Sequence, residues 1–188
     1  MAMEKNKVKF GLKNVHWAKI TGYDEDEMPI YDTVKRLPGA VNLSLDANGE
    51  NENFYADDMV YYVLSNNSGY EGDLEIALVT TEFATEILGE KLDAKGVLVE
   101  SADAETSEFA LFFEFTGDKN KIRHVFHRCA VSRPNTESST VEESKEVKTE
   151  SLSLTASSLV NGLVKAMPLY TQTGSSSRIC RICQALCR

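Results

Sequence analysis

The chain has 188 residues, 42% of them hydrophobic, and carries 20 basic against 29 acidic residues for a net charge of −9. That length fits one domain with a real core, the apolar content argues against wholesale disorder, and no stretch approaches the roughly 20 apolar residues of a membrane helix. The charge is uneven: Arg178, Arg181 and Arg188 fall in residues 167–188 with no acid, so residues 1–166 hold 17 bases against 29 acids, a net of −12, which repels phosphate backbones and argues against nucleic-acid binding.

In chain order, residues 1–7 have no apolar block after their lysines and do not read as a secretory signal, so a soluble protein made in a cytoplasm is expected. Residues 7–12 and 15–20 alternate charged and apolar side chains and predict two strands separated by Asn14. Residues 23–29 are acidic, with Asp24, Glu25, Asp26 and Glu27 contiguous, and predict an exposed loop; contiguous acids lack the spacing of a calcium loop. Leu37-Pro38-Gly39 predicts a turn, and residues 40–46 a strand with one wet face. Asn48, Gly49, Glu50, Asn51, Glu52 and Asn53 predict a polar loop.

Phe54-Tyr55 leads into an acidic corner, Asp57-Asp58, followed by the apolar run 59–64. Ser65-Asn66-Asn67-Ser68-Gly69 then separates that run from the alternating run 70–78, and the pair predicts a β-hairpin closed by residues 65–69. Residues 80–89 predict a helix of about two turns: a threonine cap, Glu82 at the positive end of the dipole, Gly89 at the stop, and an apolar stripe from Phe83 and Ile87.

Residues 96–99 suggest a short strand, and residues 109–115, nearly all apolar, a strand buried on both faces. After a turn at 117–120, residues 122–131 alternate. Val125, His127, Cys129 and Val131 are expected on one face, with His124, Phe126, Arg128 and Ala130 on the other. Residues 135–151 are rich in Ser, Thr and Glu and predict a long excursion or a wet strand pair; Leu152, Leu154 and Ala156 mark a last clear strand, and Leu163-Val164 an edge. Many short alternating strands, turns between them and one short helix predict a mainly β fold, a β-sandwich or partial barrel with one short flanking α-helix.

The sequence carries no nucleophile elbow, phosphate-binding loop, dinucleotide fingerprint or zinc-protease helix, and reads as a non-enzyme without cofactor. His124 and His127, three apart on a strand, point to opposite faces and are read with His16 as ordinary histidines. Cys129 reads as a small buried hydrophobe. The only cofactor-like spacing is Cys180, Cys183 and Cys187, a weak metal candidate without a fourth ligand. Asn42-Leu43-Ser44 and Asn66-Asn67-Ser68 match a glycosylation acceptor, which carries no meaning without a secretion signal.

Several blocks, in order, carry a family resemblance: residues 7–16, Leu37-Pro38-Gly39-Ala40-Val41, Phe54-Tyr55-Ala56-Asp57-Asp58, residues 70–78, residues 83–89, Glu137-Ser138-Ser139-Thr140 and residues 161–166. From about Lys7 to about Lys165 the chain resembles the phi13-type major tail proteins of long-tailed bacteriophages. The resemblance implies a tail-tube β-sandwich over residues 1–166. Six copies would form a ring whose inward sheets join into one barrel, and rings would stack around a tape-measure protein under a tail terminator. DNA would pass through the lumen without specific binding, past an acidic wall that does not hold it. Localisation would be the virion tail, assembled in the host bacterial cytoplasm.

Sheet edges would be satisfied by neighbouring copies. Asn48, Gly49, Glu50, Asn51, Glu52 and Asn53, together with Glu137, Ser138, Ser139 and Thr140, are the candidate inter-subunit loops, and acids on wet strand faces would line the lumen. After Ala166 the chain departs from the family. The switch to an Arg/Cys-rich ending at residues 167–188 suggests an unstructured or frameshift-derived tail. The alternative is a monomeric β-sandwich module binding carbohydrate or protein through one aromatic patch made by Tyr61, Tyr62 and Tyr70.

Overall fold

The structure, a computed structural model, describes residues 8–119, 121–135 and 148–167. The described residues are mainly β with one short helix, and the elements below are counted among them. Thirteen strands form: β1 (Leu12–Tyr23), β2 (Pro29–Tyr31), β3 (Lys35–Arg36), β4 (Ala40–Asn48), β5 (Asn51–Ala56), β6 (Met59–Ser65), β7 (Gly69–Ile76), β8 (Lys91–Leu92), β9 (Leu98–Val99), β10 (Phe109–Phe115), β11 (Arg123–Val131), β12 (Glu150–Ala156) and β13 (Lys165–Ala166). Helix α1 (Thr81–Glu86) lies between β7 and β8.

Nine strands make one antiparallel sheet in the order β2-β1-β10-β11-β12-β7-β4, with β3 added to β1 and β13 to β11. β5–β6 and β8–β9 are separate two-stranded hairpins. β11 joins β12 through three residue pairs only, Cys129–Ala156 to Val131–Leu154. The sheet therefore folds over there, and Leu43 and Leu45 of β4 reach the same core as Val15 and Trp17 of β1. The result is a sandwich-like wrap that does not close into a barrel.

Residue parity sets the layers. On β10, Phe109, Leu111 and Phe113 enter the main core, while Ala110 and Phe112 enter a second cluster with Ala18 and Val125, covered by Tyr31, Val34 and Ala166. This strand is buried on both faces, as its continuous apolar run predicts. Leu74 and Ile76 of β7, and Leu152, Leu154 and Ala156 of β12, line the opposite wall of the main core.

The helix closes that core. Thr80 Oγ1 accepts the Phe83 N–H, which caps the first turn, and Gly89 with φ +78° allows the chain to turn away. Phe83, fully buried, meets Trp17 and Phe109 edge-on at ring separations of 5.4 and 5.5 Å. The turn at Pro38–Gly39, the acidic loop after β1, and the short strands β9 and β12 fall where the sequence places them. The edge expected at Leu163–Val164 lies slightly later, at Lys165–Ala166.

Three expectations are corrected. The strand expected at residues 7–12 does not form, because β1 begins only at Leu12 and the described residues 8–11 lie outside it; β1 then runs on through Asn14, which sits at φ +51° and donates from its side chain to Glu114 Oε2 at 2.9 Å, so the chain kinks without ending the strand. On β11 the strict alternation fails. A bulge opposite the Phe109–Leu111 segment shifts the frame, so Val125 faces the second cluster while Phe126, Cys129 and Val131 all enter the main core. Finally, run 59–64 does not pair with run 70–78. β6 turns back on β5 through Asp57-Asp58, both in the left-handed region at φ +52° and +57°, the backbone of a two-residue hairpin loop. β7 pairs instead with β4 and β12, over their whole shared lengths.

Candidate functional site

Three surfaces stand out, and the first is the β5–β6 hairpin. It interrupts the β4–β7 pair, leaving the body where Asn48 faces Gly69 and the Ser68 N–H donates to Asn48 O at 2.8 Å. Gly49 has φ +155°, and a Cβ there would lie 2.1 Å from Asn66 O, so only glycine lets the two chains pass at this neck. Beyond the neck nearly every residue of both strands is exposed, including Phe54, Met59, Val60, Val63 and Leu64. Tyr55, Tyr61 and Tyr62 are 64%, 70% and 60% exposed. A two-stranded hairpin is marginal by itself, and so many large apolar side chains left exposed together mark an interaction surface.

The candidate inter-subunit residues at 48–53 are therefore not a loop. Asn48 ends β4, Gly49 and Glu50 form the neck, and Asn51, Glu52 and Asn53 are the first residues of β5. They are the root of an arm whose reach comes from the apolar residues beyond them. Glu137, Ser138, Ser139 and Thr140 lie outside the described residues, as do Cys180, Cys183 and Cys187.

The second surface is the outer face of β4, β7 and β12. In register across the three strands stand Asn42–Glu75–Ser151, Ser44–Asp73–Ser153 and Asp46–Glu71–Thr155. Each strand turns its hydrophobic residues to the core and these to water, by the two-residue period of the pleat. The nine positions hold four carboxylates, five hydroxyl or amide side chains and no base. Ser153 donates to Asp73 Oδ1 at 2.9 Å, and Thr149 to Glu75 Oε1.

The third is a cleft of about 270 Å³ between the two halves of the wrap, floored by Leu43, Leu45, Tyr70, Phe113, Phe115 and Phe126. Lys9 stands 5.7 Å from the Phe115 ring and Lys165 4.5 Å from the Tyr70 ring. His124 stacks on Phe113, and burial, with Lys9 next, holds it below its ordinary pKa, so it is neutral at pH 7. Nothing in the sequence signalled this cleft, because its walls come from segments up to 158 positions apart, Lys9 to Met167.

Neither a scan against protein-family models nor a search of curated proteins finds a match to this chain.

The remaining reactive groups have local explanations. Burial pushes the Cys129 thiol well up, so it stays protonated and is a poor nucleophile. His127 is buried and held below its ordinary pKa by that burial. Burial opposes charge on Glu108, but hydrogen bonds from Arg128 and Tyr23 and the Arg128 charge outweigh it, and its carboxyl titrates below the usual value. Among the described residues, no three His, Cys, Asp or Glu side chains come together to hold a metal. Tyr61, Tyr62 and Tyr70 do not form one patch: the first two are on the arm, successive and so on opposite faces, and the third is half-buried in the cleft.

Proposed function

We propose that this chain is a self-assembling structural subunit of a bacteriophage tail, the major tail protein of a tube built from stacked hexameric rings. The wall of that tube would face passing DNA with the outer surface of β4, β7 and β12. The observation that carries the proposal is that surface: three adjacent strands presenting four carboxylates and no base. An aqueous face so uniformly acidic is unsuited to holding a phosphate backbone and suited to letting one slide, since it offers none of the counterion release that drives nucleic-acid binding.

Two further features support self-assembly. β4 ends the nine-stranded sheet, so one side of its backbone is free for a neighbour, as joining sheets into a common barrel requires. The arm beside it carries apolar surface that a monomer leaves in water. In this arrangement the tape-measure protein occupies the lumen during assembly, a terminator caps the last ring, and the protein works in the virion without catalysing a reaction. Residues 1–166 supply the tube domain.

Negative-stain electron microscopy of the purified full chain tests this. Rings and tubes of uniform diameter at high concentration are expected. A chain that remains monomeric at every concentration, and is absent from purified phage particles, overturns the proposal. The alternative, a monomeric binding module with a single aromatic patch, loses its motivating feature, because the three tyrosines are apart.

A further inference from the structure

We propose that the tip of the β5–β6 arm of one copy docks into the aromatic cleft of a second copy, with Asp57 and Asp58 meeting Lys9 and Lys165 and the Tyr55–Val60 pair covering the cleft floor. This rests on the self-assembly reading above and names the two surfaces that meet.

Charge selects the occupant. The cleft is a basic opening on a strongly acidic chain: Lys9 and Lys165 flank it, each with its stem or ammonium over an aromatic ring. His124, neutral at pH 7, lines the same opening without adding charge. The carboxylate that His124 senses, Asp118, is buried and accepts the Ile122 N–H, so it does not occupy the opening. A complementary partner must bring acid beside apolar surface, and the arm tip does so within six residues: Tyr55, then Asp57 and Asp58, then Met59 and Val60, all exposed. Tyr55 and Val60 are cross-strand partners and present one apolar unit beside the acidic turn.

Size points the same way. At about 270 Å³ the cleft falls just below the roughly 300–1,000 Å³ typical of small-molecule sites, and its apolar floor suits side chains of a protein partner. The arm cannot fill its own cleft without folding back at its neck. The tip lies six residues beyond Asn51, about 20 Å of extended strand, and the exposure of both arm strands shows that the arm does not lie on its own body. The occupant is therefore another copy.

The two surfaces differ, so each subunit gives one arm and receives one. Such a contact closes into a ring or propagates along an axis, and stops at a pair only where two copies exchange arms about a two-fold axis. Opposite charge defects in arm and cleft should therefore each block assembly alone and restore it together, which gives a direct test on the full-length chain by sedimentation velocity.

D57K/D58K and K9E/K165E should each raise the concentration for half-assembly about tenfold or more, and the fourfold charge-swapped chain should recover assembly. Mixed in equal amounts, the two double variants pair an acidic arm with a lysine cleft and a lysine arm with an acidic cleft, and should co-assemble although neither assembles well alone. If wild-type chain assembles and both double variants assemble equally well, or if the swap restores nothing while each variant keeps its wild-type melting temperature, the docking is overturned and the tube reading stands. If wild-type chain never assembles, both fall.

Discussion

Replacing Tyr61 and Tyr62 together by serine separates an arm that serves assembly from one that serves the fold. The two side chains are 70% and 60% exposed. A buried aromatic residue removes about 150–250 Å² from water, so on the order of 100–150 Å² of each awaits a partner. At about 25 cal/mol per Å² that is roughly 3 kcal/mol apiece, or about 6 kcal/mol for the pair if both become fully covered. Ordering and desolvation reduce this, but if only about 2 kcal/mol survives, the assembly midpoint still moves about thirtyfold in concentration. The monomer loses almost nothing, because exposed substitutions away from special backbone positions change stability by about 0.5 kcal/mol or less. Sedimentation across a concentration series reads the first quantity and thermal melting of dilute protein the second. Assembly at an unchanged midpoint would refute the role given to the arm; a melting temperature lowered by many degrees would show that these tyrosines support the fold of the single chain.

Two further outcomes follow from the electrostatics. Reversing the outer face with E71K/D73K/E75K should produce tubes that retain duplex DNA at low salt and release it as salt rises, whereas wild-type tubes retain none in a fluorescence-polarisation assay. Acidification should destabilise the body. His127 and His124 are both held below the ordinary histidine value of 6.5, mainly by burial, so their contribution is complete above about pH 6.5 and is lost progressively as pH falls toward their lower folded values. Melting temperature measured between pH 7.5 and 5 should fall, and His127→Leu should flatten that fall; an equally steep profile in the variant would exclude His127 as a contributor.

The body was legible in the sequence because its burial follows simple periods. The unbroken run 109–115, the i, i+4 pair Phe83–Ile87 between a threonine cap and Gly89, and the alternation of Leu152, Leu154 and Ala156 each specify one structure and take it. The errors lie where one residue more or less changes the frame. Asn14 reads as a break because asparagine favours the left-handed region, but here that conformation makes a bulge within a continuous strand. At the arm two turn signals compete. Ser65–Gly69 is the stronger by composition, yet Asp57-Asp58 closes the hairpin, and residues 65–69 return the chain to β7. An apolar run beside an acidic pair identifies a strand; it does not identify which neighbour the strand takes. The cleft was illegible for a different reason: its pairing of Lys9 and Lys165 over two aromatic rings exists only after the wrap has formed.

The arm tip is where local preference and observed structure disagree most, and that disagreement can itself be tested. Two successive non-glycine residues hold left-handed backbones at Asp57 and Asp58, at a cost of roughly 1–2 kcal/mol each, and their adjacent carboxylates repel. Asn-Gly is the sequence that a two-residue hairpin loop favours, so D57N/D58G should relieve the strain and rigidify the tip, visible as slower hydrogen exchange in residues 51–65. If the aspartates were present only to close the turn, the substitution would leave assembly unchanged or strengthen it through preorganisation. If they are present to meet the cleft lysines, the better-formed arm should assemble less well, and the salt sensitivity of assembly should drop with the two charges removed. A tip that becomes more ordered and binds no worse would mean that the carboxylates have no partner.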